Sequence, residues 1–451
     1  MLRLWFASAL LNGQWATGVR IVVADGRIAS IETGVKTEPD DERCGVALPG
    51  LPNVHSHTFQ RAMAGLAERR GAGGDNFWTW REAMYRFLAR LTPDDVEAVA
   101  AWAFAEMLES GFTRVGEFHY LHHDLDGRPY ADMGELAARI VAAAGATGVG
   151  LTILPVFYAH SDFGGLPPTP EQRRFVTNLD RFARLVEATR QAASGLPGAV
   201  VGVAPHSLRA VTAEELREVV SLAGNGPVHI HVAEQLREVD SCLAWSGRRP
   251  VEWLLEEQRV DGRWCLVHAT HTTEAERKGV ASRGAVVGLC PVTEANLGDG
   301  VFDAIAFQKA GGRFGIGTDS NILIDAAGEL RQLEYAQRLV TRTRNVLATD
   351  DRSTGRALLD TVYQAGSQAL GVASQGLSVG QPADIVSLAV DHPALVARHG
   401  DALIDGWVFA AKAGAIDRVW VHGRLVVADG RHVAREFLEQ RFRSCLKRIL
   451  Q

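Results

Sequence analysis

Residues 51–57 read LPNVHSH, a short apolar run that closes on two histidines one residue apart. Side chains of an extended chain alternate with period two, so His55 and His57 project to the same side. The pattern returns further on. Residues 227–235 read PVHIHVAEQ, residues 264–270 WCLVHAT and residues 315–320 GIGTDS, each an apolar run followed by a turn or helix signal. Runs of this kind end near His57, Tyr120, Tyr158, His206, His231, His268, Pro291 and Asp319, with helical patterns between them. Strands alternating with helices predict a parallel (β/α)8 barrel of the TIM type, in which the C-terminal ends of different strands converge on one mouth. Residues distant in the chain then meet in space, and His55, His57, His231 and Asp319 form a set able to hold a divalent cation.

Zinc in a catalytic site takes about three or four protein ligands and keeps one position for water. An imidazole–carboxylate set without cysteine suits one zinc per chain, with Fe2+ or Mn2+ as alternatives. Glu234 follows His231 by three residues, where a carboxylate can reach a water at the cation and move its proton. A solvated first-turn glutamate is the plainer reading of that position. His268 reads as a further ligand, as a hydrogen-bond donor to the reacting centre, or as a buried structural histidine. Asp319 is a ligand candidate and a proton acceptor, although Thr318-Asp319-Ser320-Asn321 also spells an Asx-turn. The catalytic candidates are thus Glu234, His268 and Asp319.

The chain has 451 residues, enough for a barrel and a modest second domain. A hydrophobic share of 47% with 22% charged residues is that of a globular protein, and a formal charge of −6 leaves no basic footprint for nucleic acid or an anionic membrane. An anionic substrate must then be met by locally placed arginine or lysine. The five cysteines (Cys44, Cys242, Cys265, Cys290 and Cys445) are scattered and contain no C-x-x-C, which argues against a disulfide framework or zinc ribbon and for a cytoplasmic location. The opening MLRLWFASALLNGQW mimics a signal peptide but lacks a small-residue cleavage pattern and runs straight into a strand pair. Residues 140–159 carry no charge, yet Gly145, Gly148, Gly150 and Pro155 interrupt them, which fits a helix end followed by a buried strand rather than a membrane span.

One hexapeptide occurs twice: VVADGR stands at residues 22–27 and again at 426–431. Asp-Gly between β-type runs is a strong signal for a tight hairpin. Both ends of the chain are β-rich while the middle is not. The expected architecture is therefore α/β, a barrel of residues 49–371 inserted in a small β-sandwich domain built from residues 1–48 and 372–451. Within the barrel, Thr92-Pro93-Asp94-Asp95 opens a helix that stops at Gly111, and Thr212-Ala213-Glu214-Glu215 spells a capping box. Residues 75–91, DNFWTWREAMYRFLARL, add an amphipathic helix after the first strand. It reads either as a lid over the mouth or as plain packing of Trp78, Trp80 and Phe87.

Together these segments resemble the amidohydrolase superfamily, in its mononuclear deaminase branch. The resemblance rests on PNVHSH at 52–57, HVAE at 231–234, VHAT at 267–270, LCPVTEANLG at 289–298, GTDS at 317–320 and GQPADIVSL at 380–388. The end of strand four reads APHSLRA, with no lysine suited to carbamylation, which departs from the binuclear members and argues for one metal. Narrower segments, HSHTFQRAMAGLAER, DNFWTWREAMYRF, GEFHYLHHD and APHSLRAV, are similar to the N-formimidoyl-L-glutamate deiminases of that branch. The resemblance implies hydrolysis of a formimino group to a formyl group with release of ammonia, in histidine breakdown. It also implies a homodimer.

Such a substrate is a small dicarboxylate, and guanidinium forks suit carboxylates. Arg81, in the added helix, and Arg209, just beyond strand four, are the candidates to bind it, with Gln60, Tyr120 and His206 as neutral hydrogen-bonding groups near the mouth. His119, His122 and His123 cluster in HYLHHD without any other ligand pattern and read as loop polarity or indirect support. Two rival readings stand beside this one. A deaminase of aminopurines would want an aromatic pocket without paired arginines. A non-catalytic binding protein would have no use for Glu234.

Overall fold

The computed structural model describes residues 1–70, 75–412 and 414–451. Its centre is a ring of parallel strands: Leu51–Ser56, Phe112–His119, Gly150–Phe157, the split pair Val200–Val201 and Ala204–Pro205, Val228–Val232, Trp264–His268, Val286–Leu289 and Arg313–Ile316. Hydrogen bonding runs from the fifth strand through the eighth to the first and on to the fourth. The ring closes where fourth meets fifth, through bridges from Val203 to Val228 and from Ser207 to His231. The second and third strands are buried at every position. Helices cover their outer faces and side chains fill the ring, so the sequence shows continuous apolar runs rather than alternation. At the break in the fourth strand the backbone changes partner: Gly202 N–H donates to Ile153 O at 3.1 Å and Val203 N–H to Pro227 O at 3.0 Å. A Cβ on Gly202 would stand 2.4 Å from Pro227 O, so the chains touch backbone to backbone there.

The helices follow their capping chemistry. Pro93–Ser110 starts at the Thr92 cap, with Pro93 in its first turn, and stops at Gly111, whose φ is +103°. Ala213–Leu222 opens on the Thr212–Glu215 capping box. Residues 140–159 divide as expected into the end of helix Glu135–Thr147, a left-handed Gly148, and the third strand. Among the described residues no helix is long and apolar enough to cross a membrane. All five cysteines are buried and none is in a disulfide.

The chain ends build one eight-stranded sheet. Leu2–Leu11, Gln14–Ala24, Arg27–Glu32 and Glu42–Pro49 come from the N-terminal side, and Ile385–Leu388, Ile416–Val421, Arg424–Ala428 and Arg431–His432 from the C-terminal side. The halves join where Glu42–Pro49 pairs antiparallel with Ile385–Leu388. Two strands separate Leu2–Leu11 from Ile416–Val421 in this order, a flat distance of roughly 14 Å. Yet the rings of Phe6 and Trp420 are 6.2 Å apart. The sandwich is thus one sheet folded over on itself around its own core, not two separately bonded sheets. Both VVADGR copies are two-residue hairpins: Ala24 pairs with Arg27 and Ala428 with Arg431. Asp25, Gly26, Asp429 and Gly430 all have positive φ, as a type I′ turn requires.

Candidate active site

The first, fifth and eighth strands deliver His55, His57, His231 and Asp319 to one point, with one ligand atom from each within 4.8 Å of the others. His55 Nε2 lies 3.1 Å from His57 Nε2 and 3.0 Å from His231 Nε2. Asp319 Oδ1 lies 3.3 Å from His55 Nε2 and 3.2 Å from His57 Nε2. Hydrogen bonding shows what such a cluster requires. His57 Nδ1 is 3.0 Å from Phe118 O and His231 Nδ1 is 3.0 Å from His206 O. A carbonyl only accepts, so both Nδ1 atoms carry the hydrogen and both Nε2 atoms present lone pairs. One hydrogen on His55 Nε2 could satisfy only one of them. A cation resolves the conflict: ligands about 2.0–2.1 Å from a tetrahedral zinc stand roughly 3.3 Å from one another.

Electrostatics agree. Burial, with the neighbouring His57, pushes His55 down to about 3, and burial drives His231 well below its usual value, so both are neutral as ligands must be. Burial opposes ionisation of Asp319, yet the imidazoles of His55 and His57 beside its carboxylate hold it well below the usual carboxylate range. The backbone fixes the carboxylate as well. Asp319 N–H donates to His55 O and His57 N–H to Asp319 O, each at 2.9 Å. Thr318 Oγ1 accepts from Asn53 at 2.7 Å and donates to Asn321 at 2.6 Å.

Glu234 and His268 stand beside this cluster. His268 Nε2 is 3.7 Å from Glu234 Oε1 and 3.9 Å from Asp319 Oδ2. Burial raises Glu234 to about 7, with His268 acting against it. For His268 burial favours the neutral ring, but Glu234, Glu294 and Asp319 outweigh it and raise the imidazole well above its usual value. Ala233, His268, Ala269 and Asp319 all have positive φ, from 45° to 67°. Non-glycine residues rarely take that conformation, and it persists where surrounding structure enforces it. These positions are the ends of strands five, six and eight.

Three carboxylates that the sequence does not single out brace the surroundings of the cluster. Glu238 accepts N–H of Ala233 at 3.0 Å and of Glu234 at 3.2 Å, clasping the turn that carries Glu234. Glu117 accepts the N–H and hydroxyl of Thr58, at 2.8 and 2.7 Å, just after the His55–His57 pair. Glu294 receives Nδ1–H of His268 at 3.2 Å. Glu238 and Glu294 each leave a trace in the sequence, as a glutamate in the first turn of helices Leu236–Ser246 and Pro291–Leu297.

The recess above the cluster is walled by helix Phe77–Leu88, which presents Trp80, Arg81 and Tyr85 to it, and by Tyr120, Tyr158, His206 and Arg209. Gln60 donates to Tyr120 Oη at 2.9 Å and lines the same recess. The structure therefore gathers Gln60, Arg81, Tyr120, His206 and Arg209 around Glu234, His268 and Asp319. Among the described residues neither Arg81 nor Arg209 pairs with a carboxylate, and Arg209, although buried, has Nε without a partner. His119, His122 and His123 lie outside the recess; His122 and His123 bond to the carbonyls of Val156 and Val176, each at 2.8 Å.

A family profile described as "Amidohydrolase family" matches residues 46–426. The chain belongs to the amidohydrolase family. A second profile, "Formimidoylglutamate deiminase HutF, N-terminal domain", matches residues 4–45 of this amidohydrolase. The amidohydrolase is 49% identical over 445 residues, 98% of either chain, to the formimidoylglutamate deiminase of Pseudomonas aeruginosa. It is 30% identical over 453 residues, 95% of either chain, to the 8-oxoguanine deaminase of the same organism. The solved amidohydrolase from Brucella melitensis matches the whole chain with a TM-score of 0.97 and 55% identity, itself covered completely.

Proposed function

We propose that this amidohydrolase hydrolyses N-formimidoyl-L-glutamate to N-formyl-L-glutamate and ammonia, as a zinc-dependent homodimer of the cytoplasm serving histidine degradation. The observation that carries the substrate is the pair of guanidiniums, Arg81 and Arg209, left without carboxylate partners in the recess that holds Glu234 and His268. Cations kept unpaired beside a reactive centre suit a ligand that brings two carboxylates of its own. The identity of 49% to a protein named formimidoylglutamate deiminase supports the same reading.

His55, His57, His231 and Asp319 would hold the zinc, whose contribution is Lewis-acid activation of water. The protein's own groups do the rest. Glu234, with a proton affinity near neutrality, takes a proton from the water that attacks the formimino carbon. The same carboxylate returns a proton to the departing nitrogen, so that ammonia leaves rather than an amide anion. His268 donates a hydrogen bond to the tetrahedral centre, and Asp319 serves as second acceptor for the water's proton. Gln60, Tyr120 and His206 orient the amidine. Burial keeps His206 neutral, so it adds no third charge to the two arginines.

An aminopurine substrate has one point in its favour, the aromatic wall of Trp80, Tyr85, Tyr120, Tyr158 and Phe175. An uncharged base would leave both guanidiniums uncompensated. Ammonia release over a panel of N-formimidoyl amino acids, guanidines and aminopurines tests the proposal. Turnover of N-formimidoyl-L-glutamate at least about a hundredfold above every aminopurine is the expected result, and the reverse order overturns it.

A further inference from the structure

Trp78 is the meeting point of three arginines from three different elements. The guanidinium carbon of Arg81, one helical turn further along Phe77–Leu88, lies 4.5 Å from the centre of the Trp78 ring. That of Arg209, beyond the fourth strand, lies at 5.7 Å, and that of Arg237, in the first turn of Leu236–Ser246, at 4.4 Å. Among the described residues none of the three is ion-paired to a carboxylate, and Trp78 itself does not line the recess.

Holding a substrate-binding arginine poses a chemical problem. A protein carboxylate would fix the guanidinium but occupy the fork of N–H donors that the ligand needs. An aromatic face attracts the cation through its quadrupole and leaves those donors free at the guanidinium edge. We infer that Trp78 is a positioning residue for the substrate-carboxylate site, its indole orienting Arg81 and Arg209 while Arg237 ties the ring to the helix that follows Glu234. This deepens the dicarboxylate reading and rests on it. It also gives the helix Phe77–Leu88 a role in specificity without Trp78 touching the ligand.

The test compares Trp78→Leu, Trp78→Phe, Arg237→Gln, Arg81→Ala and Arg209→Ala in the metal-loaded protein. Each is assayed with N-formimidoyl-L-glutamate and with two analogues that each lack one carboxylate, N-formimidoyl-4-aminobutyrate and N-formimidoyl-2-aminobutyrate. Trp78→Leu should raise KM for the dicarboxylate about tenfold at nearly constant kcat, the effect expected from removing one cation–π interaction. It should affect at least one trimmed analogue much less. Trp78→Phe, which keeps an aromatic face, should recover most of the loss, and Arg237→Gln should raise KM a few-fold. Equal losses on all three substrates, or no loss, overturn the positioning role. If the arginine variants lose the dicarboxylate and Trp78→Leu does not, this inference alone falls. If Arg81→Ala and Arg209→Ala are also without effect, the dicarboxylate reading falls with it.

Discussion

His268 Nδ1 lies 3.2 Å from Glu294 Oε1, and the same oxygen accepts the backbone N–H of Cys290 at 2.9 Å. One carboxylate thus ties the sixth strand's histidine to the end of the seventh strand. It keeps the hydrogen on Nδ1 and aims Nε2 at Glu234 and Asp319. Partners of this kind typically matter by about 10- to 100-fold. Glu294→Gln should therefore lower kcat by that range while metal content stays at the wild-type level, and Glu294→Ala should lower it further. Steady-state kinetics with elemental analysis checks both, and unchanged kcat in the alanine variant would show that His268 needs no such support.

Metal content is the second test. Active protein should contain one equivalent of zinc per chain, held by His55, His57, His231 and Asp319. His231→Ala should lose both the metal and turnover, and chelation of the wild type should remove activity that added zinc restores. Two equivalents in fully active protein, or full activity after metal removal, would contradict the assignment.

The pH profile follows from Glu234. Burial raises this carboxyl to about 7, so below neutrality it is protonated and unable to take a proton from water. Turnover should therefore fall as pH drops through that region, with a bound dication moving the limb to lower pH. Glu234→Gln should keep fold and metal, lose at least about 10²-fold in kcat and lose the acid limb with it. A variant within about threefold of wild type would exclude the proton-transfer role.

Substrate charge is tested by a cycle of variants against trimmed substrates. Truncating Arg81 or Arg209 should cost about 2–5 kcal/mol in the productive complex. That is roughly 30- to several-thousand-fold in kcat/KM. An analogue lacking the matching carboxylate should lose a comparable amount with the wild type and little more with the variant. Additive losses for both arginines would reject the clamp even if the deiminase activity stood.

Stability of the terminal sheet has its own charge dependence. Asp41 is held below the usual carboxylate range by hydrogen bonds from Arg20, then from the N–H of Glu38 and from Arg3. A depressed folded-state value means that the contribution is complete above the unfolded value near 4 and is lost as pH falls below it. Asp41→Asn should lower the thermal midpoint at pH 7, and the gap to wild type should narrow progressively as pH falls below about 4. A gap independent of pH would assign the effect to packing.

The strand ends and the meeting of His55, His57, His231 and Asp319 were legible because each depends on a few adjacent residues: an apolar run, a histidine or aspartate, a turn. The paired VVADGR hairpins were legible for the same reason. The split fourth strand was not, because there the backbone changes partner from Ile153 to Pro227, and neither is near it in the chain. Glu117 and Glu294 stayed hidden too. Each lies inside a segment that carries the family resemblance, yet its own role shows only once neighbouring strands align and supply a partner, Thr58 for one and His268 for the other. The folding over of the terminal sheet depends on cumulative twist, which no single segment encodes.

His57 and His231 are oriented by main-chain carbonyls, those of Phe118 and His206. Every residue type carries a carbonyl, so the orienting bonds place no demand on the side chains at positions 118 and 206. His206 turns its ring toward the recess while its backbone steadies His231. Selection can therefore rewrite that ring to admit a different molecule without dismantling the hydrolytic machinery beneath it. Diversification of the pocket and preservation of the reaction become separable events, and an engineer seeking a new amidine substrate should begin at position 206.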